Sequence, residues 1–260
     1  MLDAAKLTNI ARKNAGWRVL TLEECASTND VAVELLATDG EAHGTVVFAE
    51  HQTAGRGRRG HVWHSRAGLG LLFSVALKAS PSPPAPALVA AAAAAIRNAS
   101  LQITGAAARI KWPNDLYIYQ KKFAGILVEA RLAGESANIV IGAGVNLNHD
   151  PNIDFAPEIR NIATSLKHES NVDVDRYPFA NCVLDFLDLY LSEILIGKYD
   201  QIEKEFMNGL GLANQQIEVE LLSGGRVQGS LVSFDCIRGV EIAGPAGSSW
   251  IRAELIAHIY

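Results

Sequence analysis

The chain has 260 residues, of which 49% are hydrophobic, and it carries a formal net charge of -5. A chain of this length can bury a large core, and we expect one main domain with a smaller one. The charge disfavours a nucleic-acid-binding protein, because such proteins usually present a broad basic surface.

The predicted helices and strands are mostly joined by hairpins, which is typical of an α+β fold. Ser27 to Asp30 predict a helix start, in which short polar side chains cap free N–H groups. Prolines 81, 83 and 84 end a strand, and an alanine-rich helix is expected to begin near Ala85. Its most apolar run, residues 85–96, is shorter than the roughly 20 residues that cross a bilayer. We therefore expect a buried helix there and no membrane span. The helical spacing of apolar residues also covers 177–206.

Strands are predicted from runs of apolar and β-branched residues. In the larger part of the chain they cover residues 45–49, 69–77, 108–112, 116–119, 123–130 and 137–141. Beyond a boundary near Gly209 to Asn214, shorter runs at 217–221, 227–234, 240–243 and 250–259 predict a small antiparallel barrel. We therefore divide the chain into residues 1–210 and 211–260. The small module should pack on the larger one, because it cannot bury much apolar surface alone.

Three widely separated cysteines, Cys25, Cys182 and Cys236, form no CxxC pair. This spacing disfavours a disulfide framework and a structural zinc site. The N-terminal residues lack the apolar core of a signal peptide. We therefore expect a cytoplasmic protein.

The segment from Gln52 to Trp63, QTAGRGRRGHVW, joins two predicted strands and alternates glycine with arginine. Glycine can adopt positive φ and leaves backbone N–H groups accessible, while guanidinium groups match phosphate or carboxylate oxygens. The pattern indicates a mobile anion-binding loop, in which the Trp63 indole could stack on a base. A Walker A loop is excluded, since it needs GxxxxGK[ST] between a strand and a helix. The alternatives are a nucleic-acid-binding patch and a solvated surface loop.

Three further segments carry candidate binding residues. KWPND, residues 111–115, places Lys111 and Asp115 at the ends of a turn, where they could hold phosphate and magnesium, although such a segment is more often only a turn. Lys122 lies at the mouth of an apolar strand. In GAGVNLN, residues 142–148, two glycines would let a strand approach a ligand, and Asn146 offers a side-chain amide. The missing third glycine disfavours a Rossmann fingerprint.

Taken in order, STN, GTVVxAExQTAGRGRRGxxW, KWPNDLY, KKFAGILVE and GAGVNLN resemble the motifs of biotin protein ligases. The resemblance runs from about Ser27 to Asn148, and a small terminal barrel also has the expected place. It implies an α+β fold with a mixed, largely antiparallel sheet covered by helices, like class II synthetases, and an SH3-like β-barrel. It implies an enzyme that uses ATP and Mg²⁺ to convert biotin to biotinyl-5'-AMP, releases pyrophosphate, and transfers biotin to a lysine of a biotin carboxyl carrier domain.

The resemblance also implies roles for individual residues. Those implied at the ureido ring of biotin are Ser27, Thr28 and Gln52, and Asn29 next to them is also implied as a binding residue. Those implied around the biotin carboxylate and the adenylate phosphate are Gly55, Arg56, Gly57, Arg58, Arg59 and Gly60. Trp63 would cover adenine.

The remaining implied residues concern the phosphates and the metal. Those for phosphates and magnesium are Lys111, Asn114 and Asp115, with Asp115 as the metal ligand. Lys122 would contact the reacting carboxylate and α-phosphate, with Gly125 beside it and Asn146 on the nucleotide side. Lys122, Arg58 and Asp115 are the predicted catalytic residues, because fixed cations and magnesium offset the repulsion between two reacting anions.

The chain departs from the family pattern at His61, where Arg or Lys is usual, and at Arg66, where proline is common. Too few residues precede Ser27 for the helix-turn-helix domain of some relatives, so we expect no DNA binding. A homodimer is compatible with the family. The nearest alternative is a lipoate or octanoate ligase, which has a related fold and similar adenylation chemistry.

Overall fold

The computed structural model describes residues 2–7, 16–245 and 247–260. Its larger sheet has the strand order β1-β2-β3-β7-β6-β5-β4. These strands are β1 (Arg18–Cys25), β2 (Thr45–Gln52), β3 (Gly70–Ala79), β4 (Arg109–Lys111), β5 (Asp115–Ile118), β6 (Lys121–Ala133) and β7 (Ser136–Asn146). β1 and β2 are parallel, and the other neighbours are antiparallel. The predicted mixed, largely antiparallel sheet is confirmed, although β1 was not predicted.

Helices cover both faces of this sheet. They are α1 (Ala4–Leu7), α2 (Thr28–Thr38), α3 (Ala85–Thr104), α4 (Pro151–Asp154), α5 (Leu166–Ser170), α6 (Arg176–Ile194) and α7 (Asp200–Leu210). Side chains alternate between the two faces along each strand. On β2, Val46 and Phe48 pack in the cluster that contains α3 and α6, whereas Val47 packs in the cluster that contains α2. The α2 face is the one that carries the candidate site.

Two helix predictions need comment. α3 has 20 residues and is apolar enough to cross a membrane by length and composition, but most of it is buried inside the protein. The prediction of a buried helix is therefore confirmed. The single helix predicted over 177–206 is wrong, because α6 ends at Ile194, α7 begins at Asp200, and Gly197 between them has a φ of 77°. A left-handed residue of this kind ends a helix.

The prediction that Ser27 caps a helix is also wrong in its detail. Ser27 does occupy the position before the first residue of α2, with extended backbone. Its side chain makes no capping hydrogen bond. The side chain is buried and lines a cavity instead.

The C-terminal part of the chain forms a five-stranded antiparallel sheet in the order β11-β10-β9-β8-β12. Its strands are β8 (Gln216–Leu221), β9 (Arg226–Asp235), β10 (Gly239–Gly244), β11 (Gly247–Ile251) and β12 (Ile256–Ile259). This separate sheet agrees with the predicted small antiparallel module and is consistent with an SH3-like fold.

An aromatic cluster joins the two sheets. Trp112, in the turn between β4 and β5, packs edge-on against Phe206 of α7 and Phe234 of β9, with ring centroids 5.9 Å apart in both pairs. Phe206 and Phe234 lie 4.7 Å apart. The KWPND turn is thereby held in place by packing against α7 of the larger part of the chain and β9 of the C-terminal part.

We expect Phe234→Ala to lower the free energy of unfolding by about 3–5 kcal/mol, because it removes a buried ring that contacts Trp112 and Phe206. Val232→Ala is the control, since Val232 lies on the same strand but is 39% exposed. It should cost about 1 kcal/mol or less. Urea unfolding of both variants measures the difference, and equal losses would contradict the role of the cluster.

Candidate functional site

The arginine loop, which we define as residues 53–69, joins β2 to β3 as predicted and folds back on itself. Arg56 pairs with Val62 in a β-bridge, and the Trp63 N–H donates to the carbonyl of Gly55 at 2.9 Å. Between these contacts a 3-10 turn covers Arg58–Gly60, in which Arg59 has a φ of 55°. Among glycines 55, 57 and 60, only Gly60 has positive φ. The predicted use of positive φ is therefore wrong for the other two.

The loop closes over a cavity of about 270 Å³ on the α2 face of the larger sheet. The predicted site residues that line it are Ser27, Thr28, Asn29, Gln52, Arg56, Gly57, Arg58, Arg59, Trp63, Lys111, Asn114, Asp115, Lys122 and Gly125. Gly55, Gly60 and Asn146 do not line it. Asn146 is buried and donates through Nδ2 to the carbonyl of Thr164 at 3.1 Å. β12 adds Ala257 and His258, which the sequence patterns did not predict.

One end of the cavity is lined by uncharged polar groups that orient one another. The backbone N–H and the hydroxyl of Thr28 lie 2.8 and 3.0 Å from Gln52 Oε1. Ser74 Oγ is 2.7 Å from Thr28 Oγ1 and 2.6 Å from Asn29 Oδ1. These side chains are held in place before a ligand binds. Ser74 was not predicted, because its role depends on the pairing of β3 with the rest of the sheet.

The floor of the cavity is formed by glycines of β7. A Cβ at Gly142 would overlap the side chain of Asn29, and one at Gly144 would overlap the indole of Trp63. The sequence predicted that a ligand would approach this strand at its glycines. In the structure the side chains of Asn29 and Trp63 occupy that space. Trp63 Nε1 is buried and has no hydrogen-bond partner among the described residues.

A β-bulge aims Lys122 into the cavity. The register between β5 and β6 shifts after Leu116, which leaves Phe123 as an extra residue on β6. Phe123 and Ala124 both pack in the core. The bulge therefore returns Lys122 to the site face, where its Nζ lies 2.7 Å from Asp115 Oδ1.

Arg56 is already neutralised by carboxylates. Its guanidinium donates two hydrogen bonds to Asp30, at 2.6 and 2.7 Å, and lies 3.6 Å from Glu129. The hydrogen bond from Arg56 lowers the pKa of Asp30. Glu129 also accepts from Asn29 Nδ2 at 2.6 Å. Neither carboxylate was predicted, although Glu129 follows Gly125 at spacings of two and could have been placed on the site face.

Three other cations lack such compensation. Arg58 contacts the amide oxygen of Asn114 at 3.2 Å, and Lys111 lies over the ring of Tyr117. Neither of them, nor Arg59, forms an ion pair within the described part of the chain. Partial removal from water and the neighbouring Arg59 lower the pKa of Arg58. In a chain of net charge -5, this end of the cavity is a local site for anions.

Known proteins are similar to this chain in sequence. The profile of the biotin/lipoate A/B protein ligase family matches residues 22–146. The bifunctional ligase/repressor BirA of Bacillus subtilis is 39% identical over 163 residues, which are 62% of this chain and 50% of that protein. The biotin–[acetyl-CoA-carboxylase] ligase of Mycobacterium tuberculosis is 31% identical over 207 residues, which are 73% of this chain and 76% of that protein.

The fold has known counterparts as well. A biotin protein ligase from Aquifex aeolicus, solved in complex with biotin and ATP, matches with a TM-score of 0.75 and 26% identity, over 94% of this chain and 98% of that one. The chain spans about half the length of the bifunctional relatives that it matches. It covers three quarters of the mycobacterial ligase and nearly all of the Aquifex enzyme. The chain belongs to the biotin protein ligase family.

Proposed function

We propose that the protein attaches biotin to a lysine of a biotin carboxyl carrier domain, in two steps that pass through biotinyl-5'-AMP. The observation that carries this proposal is the order of groups along one cavity: uncharged polar groups at one end, an indole over glycines in the middle, and cations at the other end. Biotin has the same order, with a ureido ring, an apolar ring and chain, and a carboxylate. Relatives solved with biotin, ATP or biotinyl-5-AMP support it.

The polar end suits the ureido group. Thr28 and Asn29 open α2, Ser27 directly precedes it, and Gln52 ends β2, so all four groups lie in or next to regular elements. Ser74 orients the side chains of Thr28 and Asn29, and Thr28 in turn contacts Gln52. A buried site of this kind rejects a ligand that leaves its polar groups unpaired. This favours biotin over lipoate or octanoate, which lack a ureido ring.

The cationic end suits the first chemical step. A carboxylate oxygen of biotin attacks the α-phosphorus of ATP, the bond to the β-phosphate oxygen breaks, and pyrophosphate leaves with that electron pair. Arg58, Arg59 and Lys111 would hold the phosphates, and Lys122 would lie at the reacting carboxylate. Fixed donors at the developing charge lower the barrier, and one such donor typically contributes about 3 kcal/mol.

Magnesium would fit at Asp115, with Asn114 beside it. Within the described residues, no group of three or more His, Cys, Asp or Glu side chains could hold a metal ion. Magnesium often binds through one or two carboxylates, with substrate phosphates and water as the other ligands. Asp115 is therefore suited to a metal that arrives with ATP, and the metal would neutralise phosphate charge.

In the second step, the lysine amine of the carrier domain attacks the carbonyl of the mixed anhydride, and the carbonyl–oxygen bond to AMP breaks.

We place this reaction in the cytoplasm, because the three cysteines are free. We assign residues 1–210 to catalysis and 211–260 to a smaller unit that contributes His258 to the cavity. DNA binding is not part of the proposal, and a homodimer stays a prediction for sedimentation analysis.

The direct test is pyrophosphate release from ATP and magnesium with biotin, lipoate or octanoate, followed by transfer of labelled biotin to a carrier domain. We expect biotin to be preferred by about 100-fold or more, because the other acids leave the polar end unpaired. Equal rates with lipoate, or no label on the carrier lysine, would contradict the proposal.

Lys122→Ala should lower the rate of pyrophosphate release by about 100-fold or more, because it removes a donor at the reacting groups. The control is Lys121→Ala, which removes the same charge one residue earlier on β6. Both variants should keep the melting temperature of the parent protein within a few degrees. A Lys122→Ala enzyme as active as Lys121→Ala would remove this residue from the mechanism.

Gly144→Ala tests the floor of the cavity. The added Cβ would overlap the Trp63 indole, and we expect the KM values for biotin and ATP to rise by about tenfold or more, since small misplacements of a site are costly. Gly40→Ala is the control, because nothing lies within 4 Å of a Cβ there. Unchanged KM values in Gly144→Ala would show that the indole need not lie on β7.

A further inference from the structure

The two ends of the arginine loop are held differently. At its N-terminal end the backbone N–H groups of Thr53 and Ala54 donate to the carbonyls of Cys25 and Ala26, at 3.0 and 2.8 Å. In the middle of the loop, the backbone N–H of Trp63 donates to the carbonyl of Gly55. On its C-terminal side the two residues that follow His64 reach across to the segment after β7. Ser65 Oγ lies 3.0 Å from His149 Nε2, and Arg66 Nη1 lies 2.8 Å from Asp154 Oδ1. We call Ser65, Arg66, His149 and Asp154 the latch.

The far side of the latch is rigid. His149 is only 1% exposed and stacks on Phe155, with ring centroids 5.3 Å apart, and its carbonyl accepts from Ser165 Oγ at 2.6 Å. Removal from water lowers the pKa of His149 to about 4, even though Asp154 acts in the opposite direction. The imidazole is therefore neutral at neutral pH, and its Nε2 is hydrogen-bonded to the hydroxyl of Ser65.

The ion pair is equally well supported. The side chain of Asp154 is only 6% exposed, and it also accepts from the backbone N–H of Asp150 at 2.8 Å. Burial alone would raise the pKa of Asp154, but the hydrogen bonds from Arg66 and Asp150 lower it overall. Arg66, whose own side chain is 66% exposed, thus has a fixed, charged partner.

The latch is close to the floor of the cavity along the chain. Trp63 lies two residues before Ser65, and Gly144, which its indole covers, lies five residues before His149. A Cβ at Gly70 would fall 2.6 Å from Ser65 Oγ and 3.3 Å from His149 Cε1. Ser65 and His149 are therefore closely packed against the backbone of Gly70. Fixing Ser65 to His149 therefore limits how far the indole can move from β7.

We propose that the four latch residues are positioning residues that hold the arginine loop over the cavity and keep Trp63 on β7. None of them lines the cavity. The proposal rests on the ligase function for one of its consequences: a loosened loop binds ATP more weakly and releases biotinyl-5'-AMP sooner, while the chemical step is little changed.

Trypsin cleavage after Arg58 and Arg59 tests the latch without any ligand or activity. In Ser65→Ala and Arg66→Ala we expect cleavage at these bonds to be about five- to tenfold faster than in the parent, which is the effect of one lost hydrogen bond or partly buried ion pair. Arg131→Ala, which removes an exposed arginine on β6, is the control and should be cleaved at the parental rate.

The second readout is kinetic. The KM for ATP should rise by about five- to tenfold in Ser65→Ala and Arg66→Ala, while kcat for pyrophosphate release changes by less than about twofold. His149→Ala is avoided as the main variant because it could unfold a buried site, and thermal melting checks that Ser65→Ala and Arg66→Ala remain folded. Unchanged cleavage, or faster cleavage with an unchanged KM, would overturn the proposal. If the parent releases no pyrophosphate, the ligase function fails separately, and the cleavage rates still decide whether the latch holds the loop.

Discussion

The site depends on close packing against β7 at positions that carry no side chain. Asn29 and Trp63 occupy the space over Gly142 and Gly144 that a Cβ would otherwise fill. This contact brings the start of α2 and the arginine loop onto one face of the sheet. Without it, the polar groups at one end and the guanidinium groups at the other would not share a cavity. Two glycine positions, which contribute flexibility and no side-chain packing to a strand, thus provide the space that the site occupies.

Charge is distributed unevenly around that cavity. Arg56 and Lys122 have carboxylate partners within 2.7 Å, in Asp30 and Asp115. Such pairs hold side chains in place and reduce the cost of keeping several cations together. Arg58, Arg59 and Lys111 form no such pair within the described residues, so the net positive charge lies at one end of the cavity only. This arrangement can bind an anionic ligand without a strongly basic protein surface.

Local sequence patterns predicted most of the strands, the arginine loop and the motif residues around the cavity, because glycine, proline and arginine act within a few residues of their position. Long-range contacts were beyond such patterns. The bulge at Phe123 aims Lys122, and the partners of Arg56 come from α2 and β6. His258 reaches the cavity only because the C-terminal sheet packs beside it. The helix predicted over 177–206 was wrong, since its apolar spacing continues on both sides of the break.

The central claim is that one cavity binds both reacting anions, the biotin carboxylate and the α-phosphate of ATP. The sheet sets the order of the protein groups along that cavity. A crystal structure of the protein with biotinyl-5'-adenylate bound tests this claim most directly. We expect the ureido ring at Thr28 and Gln52, the adenine against Trp63, and the phosphate within hydrogen-bond distance of Arg58 and Lys122. A ligand bound in the reverse direction, or bound outside this cavity, would contradict the account.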